Sequence, residues 1–422
     1  MTDIPQGYKD SPLGVIPKEW EVKRLGDIAK ITSGTTPLRS NVDYFINGNI
    51  PWVKTTDLNN STLIHTEEFV TEKALDETSL KILPIGTILV AMYGGYNQIG
   101  RTGLLKINAT INQALAALFL DIKKADGLFV LNWLNSNVGW WKRYAASSRK
   151  DPNITSNDVA KFPILLPPLP EQRKIAEVLS TWDKAIEKQM LLVEKLELRK
   201  KGLMQQLLTG KKRLPGFSGG AWKKVKLGDI GQCYSGLTNK NKSDFECGAA
   251  KFITYMNVFC HGKIDINILG RVNIEADEKQ EKVKKGDIFF TVSSETPEEV
   301  GMSSVLMDDV NNTYLNSFCF GFRLYNNEIL LPKYAIYAFR GTDMRKNMYR
   351  IAQGSTRFNL SKDEVMSLKI TVPTVQEQNA IAEILSVCDN EITLARQKLD
   401  TLRQQKKGLM QVLLTGKKRI KI

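Results

Sequence analysis

Apolar residues recur along two stretches of this chain in alternating steps of four and three. The first stretch runs through Ile175, Leu179, Trp182, Ile186, Gln189, Val193, Leu196, Lys200, Leu203 and Leu207. The second runs through Ile381, Leu385, Cys388, Ile392, Ala395, Leu399, Leu402, Lys406, Leu409 and Leu413. A mean step of 3.5 is the seam of a coiled coil, so each stretch predicts a long helix with one narrow apolar stripe. The first helix must begin near Pro167-Pro168-Leu169-Pro170, which cannot continue a helix from upstream. The second opens on Thr374-x-x-Glu377, the pattern of a capping box. Both close at a glycine, Gly210 or Gly416, suited to a left-handed cap and followed by basic residues. At about 1.5 Å per residue, about 38 residues make a rod of roughly 55–60 Å. Gly202 and Gly408 fall inside these helices and are read as points of close backbone approach.

The rest of the chain alternates differently. Gly86–Met92, Ala114–Leu120, Asp287–Val292 and Ser317–Leu324 are short β-type runs between Gly/Asn/Ser-rich loops. One helical pattern follows late in each half, over Asp126–Arg143 and Leu331–Arg350. Strands followed by a helix predict an α+β class rather than a regular alternating wind.

The two halves are copies. GLMQQLLTGKKR (Gly202–Arg213) returns as GLMQVLLTGKKR (Gly408–Arg419), and EQRKIAEVLSTWDKAI (Glu171–Ile186) as EQNAIAEILSVCDNEI (Glu377–Ile392). A fainter pattern, W-x4-LGDI-x4-SG, opens each half at Trp20–Gly34 and Trp222–Gly236. A repeat as long as a domain predicts two variable bodies, each followed by a shared helix. The divisions are 1–168, first body; 169–213, central helix; 214–373, second body; and 374–422, C-terminal helix. Two equal apolar seams cover each other by pairing. Antiparallel pairing keeps the two Lys-Lys-Arg ends apart and implies an approximate two-fold axis.

Composition then narrows the chemistry. The chain has 422 residues and a formal net charge of +14, which points to a polyanionic partner, foremost nucleic acid. Its five cysteines form no CxxC pair and are read as reduced, cytosolic thiols, which places the protein in the cytoplasm. His65 and His261 lack zinc-spaced cysteines, so no metal site is expected. Neither a signal peptide nor an apolar run long enough to span a membrane is read, so no membrane partner is expected. There is no phosphate-binding GxxxxGK[ST] and no GxGxxG after a strand. Asp151-Pro152-Asn153-Ile154 lacks the second proline and the aromatic of an adenine-methyltransferase motif, and Asp10 with Glu21-Val22-Lys23 only loosely imitates a nuclease pattern. No catalytic residue is assigned.

Side chains suited to a duplex are present at matching places in both halves. Phosphate contact needs Arg, Lys and small hydroxyls; reading base edges needs Arg, Lys, Asn, Gln, Ser and Thr on reachable loops. In the first half the candidates are Thr35, Thr36, Arg39, Tyr96, Asn97, Gln98, Arg101, Lys142, Arg143, Arg149 and Lys150. In the second they are Asn239, Lys240, Lys242, Ser294, Arg345, Lys346, Arg350, Ser355, Thr356 and Arg357. Trp140-Trp141 on the late helix reads as core rather than as a base-stacking platform.

The tails PLPEQRKIAEVLSTWDKAI…LMQQLLTGKKR and EQNAIAEILSVCDNEI…LMQVLLTGKKR, with their paired WxxxxLGDI bodies, resemble the specificity subunit of type I restriction-modification systems. The resemblance covers nearly the whole chain and is sharpest in the tails. It implies that the bodies are target recognition domains, each reading one half of a split, asymmetric DNA site. It implies that the helices fix the spacer between half-sites. It further implies that two adenine methyltransferase subunits dock on this chain and that restriction subunits join for cleavage. S-adenosylmethionine, ATP and magnesium would then belong to those partners. A stand-alone, sequence-specific DNA-binding scaffold or regulator fits the charge and the repeat but not the tail sequence.

Overall fold

A computed structural model describes residues 4–95, 97–145 and 153–420 of the chain. They form two compact units. One combines Met1–Met190 with Gln397–Ile422; the other is Leu191–Arg396. Each unit therefore holds one body, the start of one long helix and the end of the other.

In the first unit the elements of the body include β1 (Glu21–Arg24), α1 (Leu25–Ile28), β2 (Ala29–Ser33), β3 (Ile50–Val53), β4 (Ser61–Leu63), β5 (Phe69–Val70), β6 (Ile88–Ala91), β7 (Thr102–Leu105), β8 (Thr110–Ile111), β9 (Leu115–Leu120), α2 (Gly127–Ser136), α3 (Val138–Ala145) and β10 (Pro163–Leu166). Five strands make the main sheet in the order β2-β9-β6-β7-β4, antiparallel except for the β4–β7 pair. A smaller sheet, β8-β3-β5, lies beside it, and β10 pairs with β1. The central strands read as unbroken apolar runs because both faces are covered. Ile88 and Val90 pack toward the helices with Phe129 and Leu134, while Leu89 and Ala91 pack on the other side with Val53 and Leu58.

The second body, in the other unit, is built on the same plan. Its elements include β11 (Lys223–Lys226), α4 (Leu227–Ile230), β12 (Gly231–Ser235), β13 (Phe245–Ile253), β14 (Gly270–Val272), β15 (Ile288–Thr291), β16 (Ser293–Ser294), β17 (Ser303–Val305), β18 (Thr313–Leu315), β19 (Cys319–Leu324), α5 (Pro332–Ala338), α6 (Thr342–Ile351), β20 (Phe358–Asn359) and β21 (Lys369–Val372). The main sheet is β12-β19-β15-β17 and the small one β14-β13-β18; β21 pairs with β11 and β20 with β16. Ile288 and Phe290 face the helices, and Phe289 faces the opposite cluster with Ile253 and Leu315.

The late helical pattern of each body is two helices, not one. In the first body the break follows Ser136, where the Asn137 side chain donates to the Trp133 carbonyl at 2.9 Å and closes the turn. In the second it falls at Gly341, the N-cap of α6.

The two long helices, α7 (Leu169–Leu207) and α8 (Val375–Leu413), are antiparallel within each unit. In the first unit Asp183 of α7 accepts from Lys406 of α8 at 2.5 Å, and Glu171 meets Arg419. In the second, Asp389 pairs with Lys200, and Glu377 meets Arg213. As one residue number rises its partner's falls. The expected seam faces inward: Ile175, Leu179, Leu207, Ile381, Leu385, Ile392, Leu399 and Leu413 are buried, and Trp182, Ile186, Leu196, Leu203, Leu402 and Leu409 are half-buried.

Two readings of these helices need correction. A Cβ on Gly202 or Gly408 would meet nothing within 4 Å, so neither marks a close approach. Each is a tolerated helix-interior glycine. The capping box at Thr374 is half formed: the Thr374 hydroxyl accepts from the Glu377 N–H at 3.4 Å, but the Glu377 carboxylate serves elsewhere. The glycine caps do form, with φ of +69° at Gly210 and +71° at Gly416.

The diverted carboxylate explains why the tails repeat. Arg213, from the GKKR at the end of α7, grips Glu377 with Nε at 2.7 Å and Nη2 at 2.8 Å, and the Trp222 indole donates to the same carboxylate at 3.2 Å. In the first unit Arg419 grips Glu171 at 2.6 and 2.9 Å, and Trp20 donates to it at 3.0 Å. Both carboxylates are essentially inaccessible to solvent, so each needs its arginine. The adjacent glutamine does the same work in each copy. Gln172 accepts from the Asp126 N–H and donates to the Lys124 and Pro167 carbonyls; Gln378 accepts from the Leu331 N–H and donates to those of Ile329 and Pro373. The repeated tryptophan, glutamate, glutamine and arginine thus lock each body onto both helices of its unit.

Candidate nucleic-acid interface

The repeated LGDI is one helical turn whose Leu and Ile enter the core, with its first N–H bonded across the body: Leu25 to the Phe162 carbonyl, Leu227 to that of Leu368. The strand after it delivers the repeated Ser-Gly to a backbone crossing. In the first body Gly34 N–H reaches the Leu115 carbonyl at 3.3 Å and Thr35 N–H that of Ile111 at 3.0 Å. In the second, Gly236 N–H reaches Cys319 at 3.3 Å and Leu237 N–H reaches Leu315 at 2.8 Å. A Cβ on either glycine would overlap backbone carbonyl oxygens, of Ile111 and Asn112 or of Asn316. Only glycine permits the crossing. The Asn112 and Asn316 N–H groups then bond to Val53 and Ile253, each at 3.0 Å. The polar loops of each body are thereby hung on one fixed backbone frame.

The side chains on that frame differ. Thr35 bonds Ser79 at 2.7 Å, and Thr36 accepts from the Gln113 N–H at 3.4 Å. Arg39 is held over the Phe45 and Trp52 rings and paired with Glu68 at 2.7 Å, and its hydrogen bond holds the Glu68 carboxyl below the usual range. In the second body Asn239 sits in the left-handed region with φ +55°, Lys242 is exposed, and Lys240 is almost enclosed and bonded to Glu278 at 2.5 Å. Arg39 and Lys240 are thus already engaged, and they brace their loops.

The second candidate stretch holds Asn97, exposed, and Gln98 and Arg101, half-buried and, for Arg101, without an ion pair among the described residues. Tyr96 lies outside the described residues. This stretch is joined to the segment after the late helices: Ile154 N–H bonds the Met92 carbonyl at 3.0 Å. The second body makes the same union as a strand pair, Ser293 with Asn359 and Ser294 with Phe358. Ser294 is buried and bonds Glu299 at 3.4 Å, so it supports the loop. Ser355, Thr356 and Arg357, in the turn leading to β20, are exposed.

On the late helices Trp141 is buried and stacked on Phe162 at 4.0 Å, as core. Arg143 is exposed and lies over Trp140. The side chain of Lys142, and Arg149, Lys150, Asp151 and Pro152 entirely, lie outside the described residues. In the second body Lys346 and Arg350 are exposed without ion pairs among the described residues. Arg345 donates to the carbonyls of Glu298, Val300 and Gly301 at 2.6–2.7 Å and so fixes that turn from beneath. Among the described residues, the candidate cations without an ion pair are Arg101, Arg143, Lys242, Lys346, Arg350 and Arg357. Sequence reasoning could not separate them from Arg39, Lys240 and Arg345, whose partners lie far along the chain. It also passed over the Glu-Gln and GKKR residues of the clamp, although their identity in both copies was a signal. The loose nuclease pattern is a surface pair, Glu21 with Lys23 at 2.9 Å on an exposed strand.

Among the described residues no helix is long and apolar enough to cross a membrane. A family described as the type I restriction modification DNA specificity domain matches twice, over residues 17–195 and 220–404. The MjaVIII specificity subunit of a type I restriction enzyme from Methanocaldococcus jannaschii is 25% identical, covering 100% of this chain and 99% of its own. The EcoR124I/EcoR124II specificity subunit of Escherichia coli is 27% identical over 42% of this chain and 44% of its own. Among solved structures, the S subunit of a type I restriction-modification system from M. genitalium matches with a TM-score of 0.56 at 18% identity, covering 94% of this chain and 96% of that one. A chain from a study of type I complex assembly matches at 0.61 and 17% identity, over 95% and 99%.

Proposed function

The chain belongs to the type I restriction-modification DNA specificity subunits, which carry no active site of their own, and from that premise we propose that its two bodies each read one half of a bipartite, asymmetric DNA site. The observation that carries this reading is the shared frame with unlike side chains. Gly34 and Gly236 make the same crossing, while Thr35-Thr36 stand where the second body has Leu237-Thr238. Two readers built on one backbone plan recognise different short sequences.

The paired helices set the spacer. At about 1.5 Å per residue each helix is roughly 58 Å long, so its length can serve as the ruler for the gap between half-sites. Two adenine methyltransferase subunits dock on the chain, and restriction subunits join for cleavage. S-adenosylmethionine, ATP and magnesium belong to those partners. The duplicated clamp supports a stoichiometry of two, because a partner fitted to one unit finds an equivalent arrangement in the other.

Co-expression with the cognate modification subunit, followed by single-molecule mapping of methylated adenines, tests this. The expected result is a split motif with a fixed gap and two methyltransferase chains per specificity chain. Site-specific binding by this chain alone, with no methyltransferase retained, would mark it instead as a stand-alone regulator. Insertion of a few residues into both helices in register is expected to change the gap. An active enzyme with an unchanged gap would rule out the ruler.

A further inference from the structure

In the second unit a half-open cleft of about 1150 Å³ lies where α7 and α8 meet α5, α6 and the turn at Cys260–Lys263. Its charge is unbalanced. Glu197 is taken by Arg396 and Asp389 by Lys200 and Tyr337. Lys201, Arg340, Arg345 and Lys346 also line it, and among the described residues none has a carboxylate partner; Glu298 is the one remaining unpaired acid on the wall.

The two arginines are sunk in the wall. Arg340 donates to the carbonyls of Val258, Phe259, His261 and Ser303, and Arg345 to those of Glu298, Val300 and Gly301. Carbonyl dipoles orient both guanidinium groups but do not neutralise them. Burial, and then the neighbouring Arg345 charge, lower the Arg340 pKa to about 10. Clustered cations kept apart from counter-charge are costly unless an anion joins them.

The first body has no such charge at the corresponding point. Asn135 occupies the position of Arg340: it lies nine residues after the Asp126 N–H held by Gln172, as Arg340 does after the Leu331 N–H held by Gln378. It joins the same elements, Thr102 at 2.6 Å and the Asn60 carbonyl at 2.7 Å, with an uncharged amide.

We propose that the cleft is a binding site for a phosphate-class oxyanion, supplied either by a free polyphosphate or by the backbone of bound DNA. Exposed lysine point charges, backed by two guanidinium charges set in the wall and contributed by three elements, suit an anion with several charged oxygens. The site is distinct from base reading and stands whichever body reads which half-site.

The test uses the full-length chain with inorganic pyrophosphate, measured by titration calorimetry, and with a duplex lacking the methylation motif, measured by anisotropy over a salt series. The variant is Lys201→Glu/Lys346→Glu; both side chains are exposed and unpaired, and thermal melts check folding. The control is Lys407→Glu, the repeat equivalent of Lys201 in the first unit. If the source is free polyphosphate, pyrophosphate binds with a Kd below about 1 mM, and the double variant weakens it about tenfold or more while the control leaves it within about twofold. If the source is DNA, the double variant lowers the log–log salt slope of duplex binding by about two, and the control does not. Unchanged behaviour in both arms, or an equal effect of the control, overturns the proposal.

Discussion

The two bodies agree where the chain must be held and differ where it can be varied. Glu171 and Glu377, Gln172 and Gln378, Trp20 and Trp222, and Arg419 and Arg213 repeat one set of hydrogen bonds almost bond for bond. Inside the sheet the agreement stops. At the start of the central strand the first body has Thr87, whose hydroxyl donates to the Pro84 carbonyl at 2.8 Å. The second has Asp287, equally buried, accepting from Arg323 at 2.7 and 2.8 Å, from Tyr234 at 2.5 Å and from the Lys284 N–H at 2.7 Å. Burial, followed by the Asp287 charge, raises the Tyr234 pKa, so its phenol stays protonated as a donor. A fixed frame thus tolerates an ionic core in one copy and an uncharged one in the other. That tolerance is what lets recognition diverge while assembly is kept.

The largest effects are expected where the copies agree. Arg213→Ala and Arg419→Ala each strand a buried carboxylate and are expected to cost about 3–5 kcal/mol in denaturant unfolding. The two losses should be similar; a large loss from one alone would break the equivalence of the clamps. Next comes the point of difference. Asp287→Ala is expected to cost about 2–3 kcal/mol and Thr87→Ala about 1 kcal/mol. Equal costs would mean that the Asp287 network contributes no more than a single neutral hydrogen bond. Gly236→Ala follows, at about 1–3 kcal/mol for forcing the crossing open. Its methylation profile is expected to lose discrimination in one half-site only. The smallest effect has the opposite sign: Gly202→Ala and Gly408→Ala, in open helix surface, are each expected to stabilise by about 1 kcal/mol.

The helices and their seam were legible in the sequence because a 3.5-residue period is a local pattern; their antiparallel sense followed from the repeat, which ends both helices in Lys-Lys-Arg. The β-runs were legible within a residue or two for the same reason: Asp287–Val292 contains β15 and Ser317–Leu324 contains β19. What escaped was set by distant partners. Arg419 and Glu171 are joined across most of the chain, so the repeated GKKR read as a basic end rather than a clamp. Arg39, Lys240 and Arg345 read as free cations until Glu68, Glu278 and the 298–301 carbonyls were placed beside them. The late helices read as single because Asn137 and Gly341 are weak breakers whose effect depends on the packing around them.

The most direct test of one frame carrying two independent readers is to exchange a single body. Residues 214–373 would be replaced by the corresponding body of a relative with a known motif, and methylated adenines mapped after co-expression with the modification subunit. The account predicts a motif with one half-site replaced and the other half-site and the gap unchanged. A change in both half-sites, with methylation retained, would contradict it.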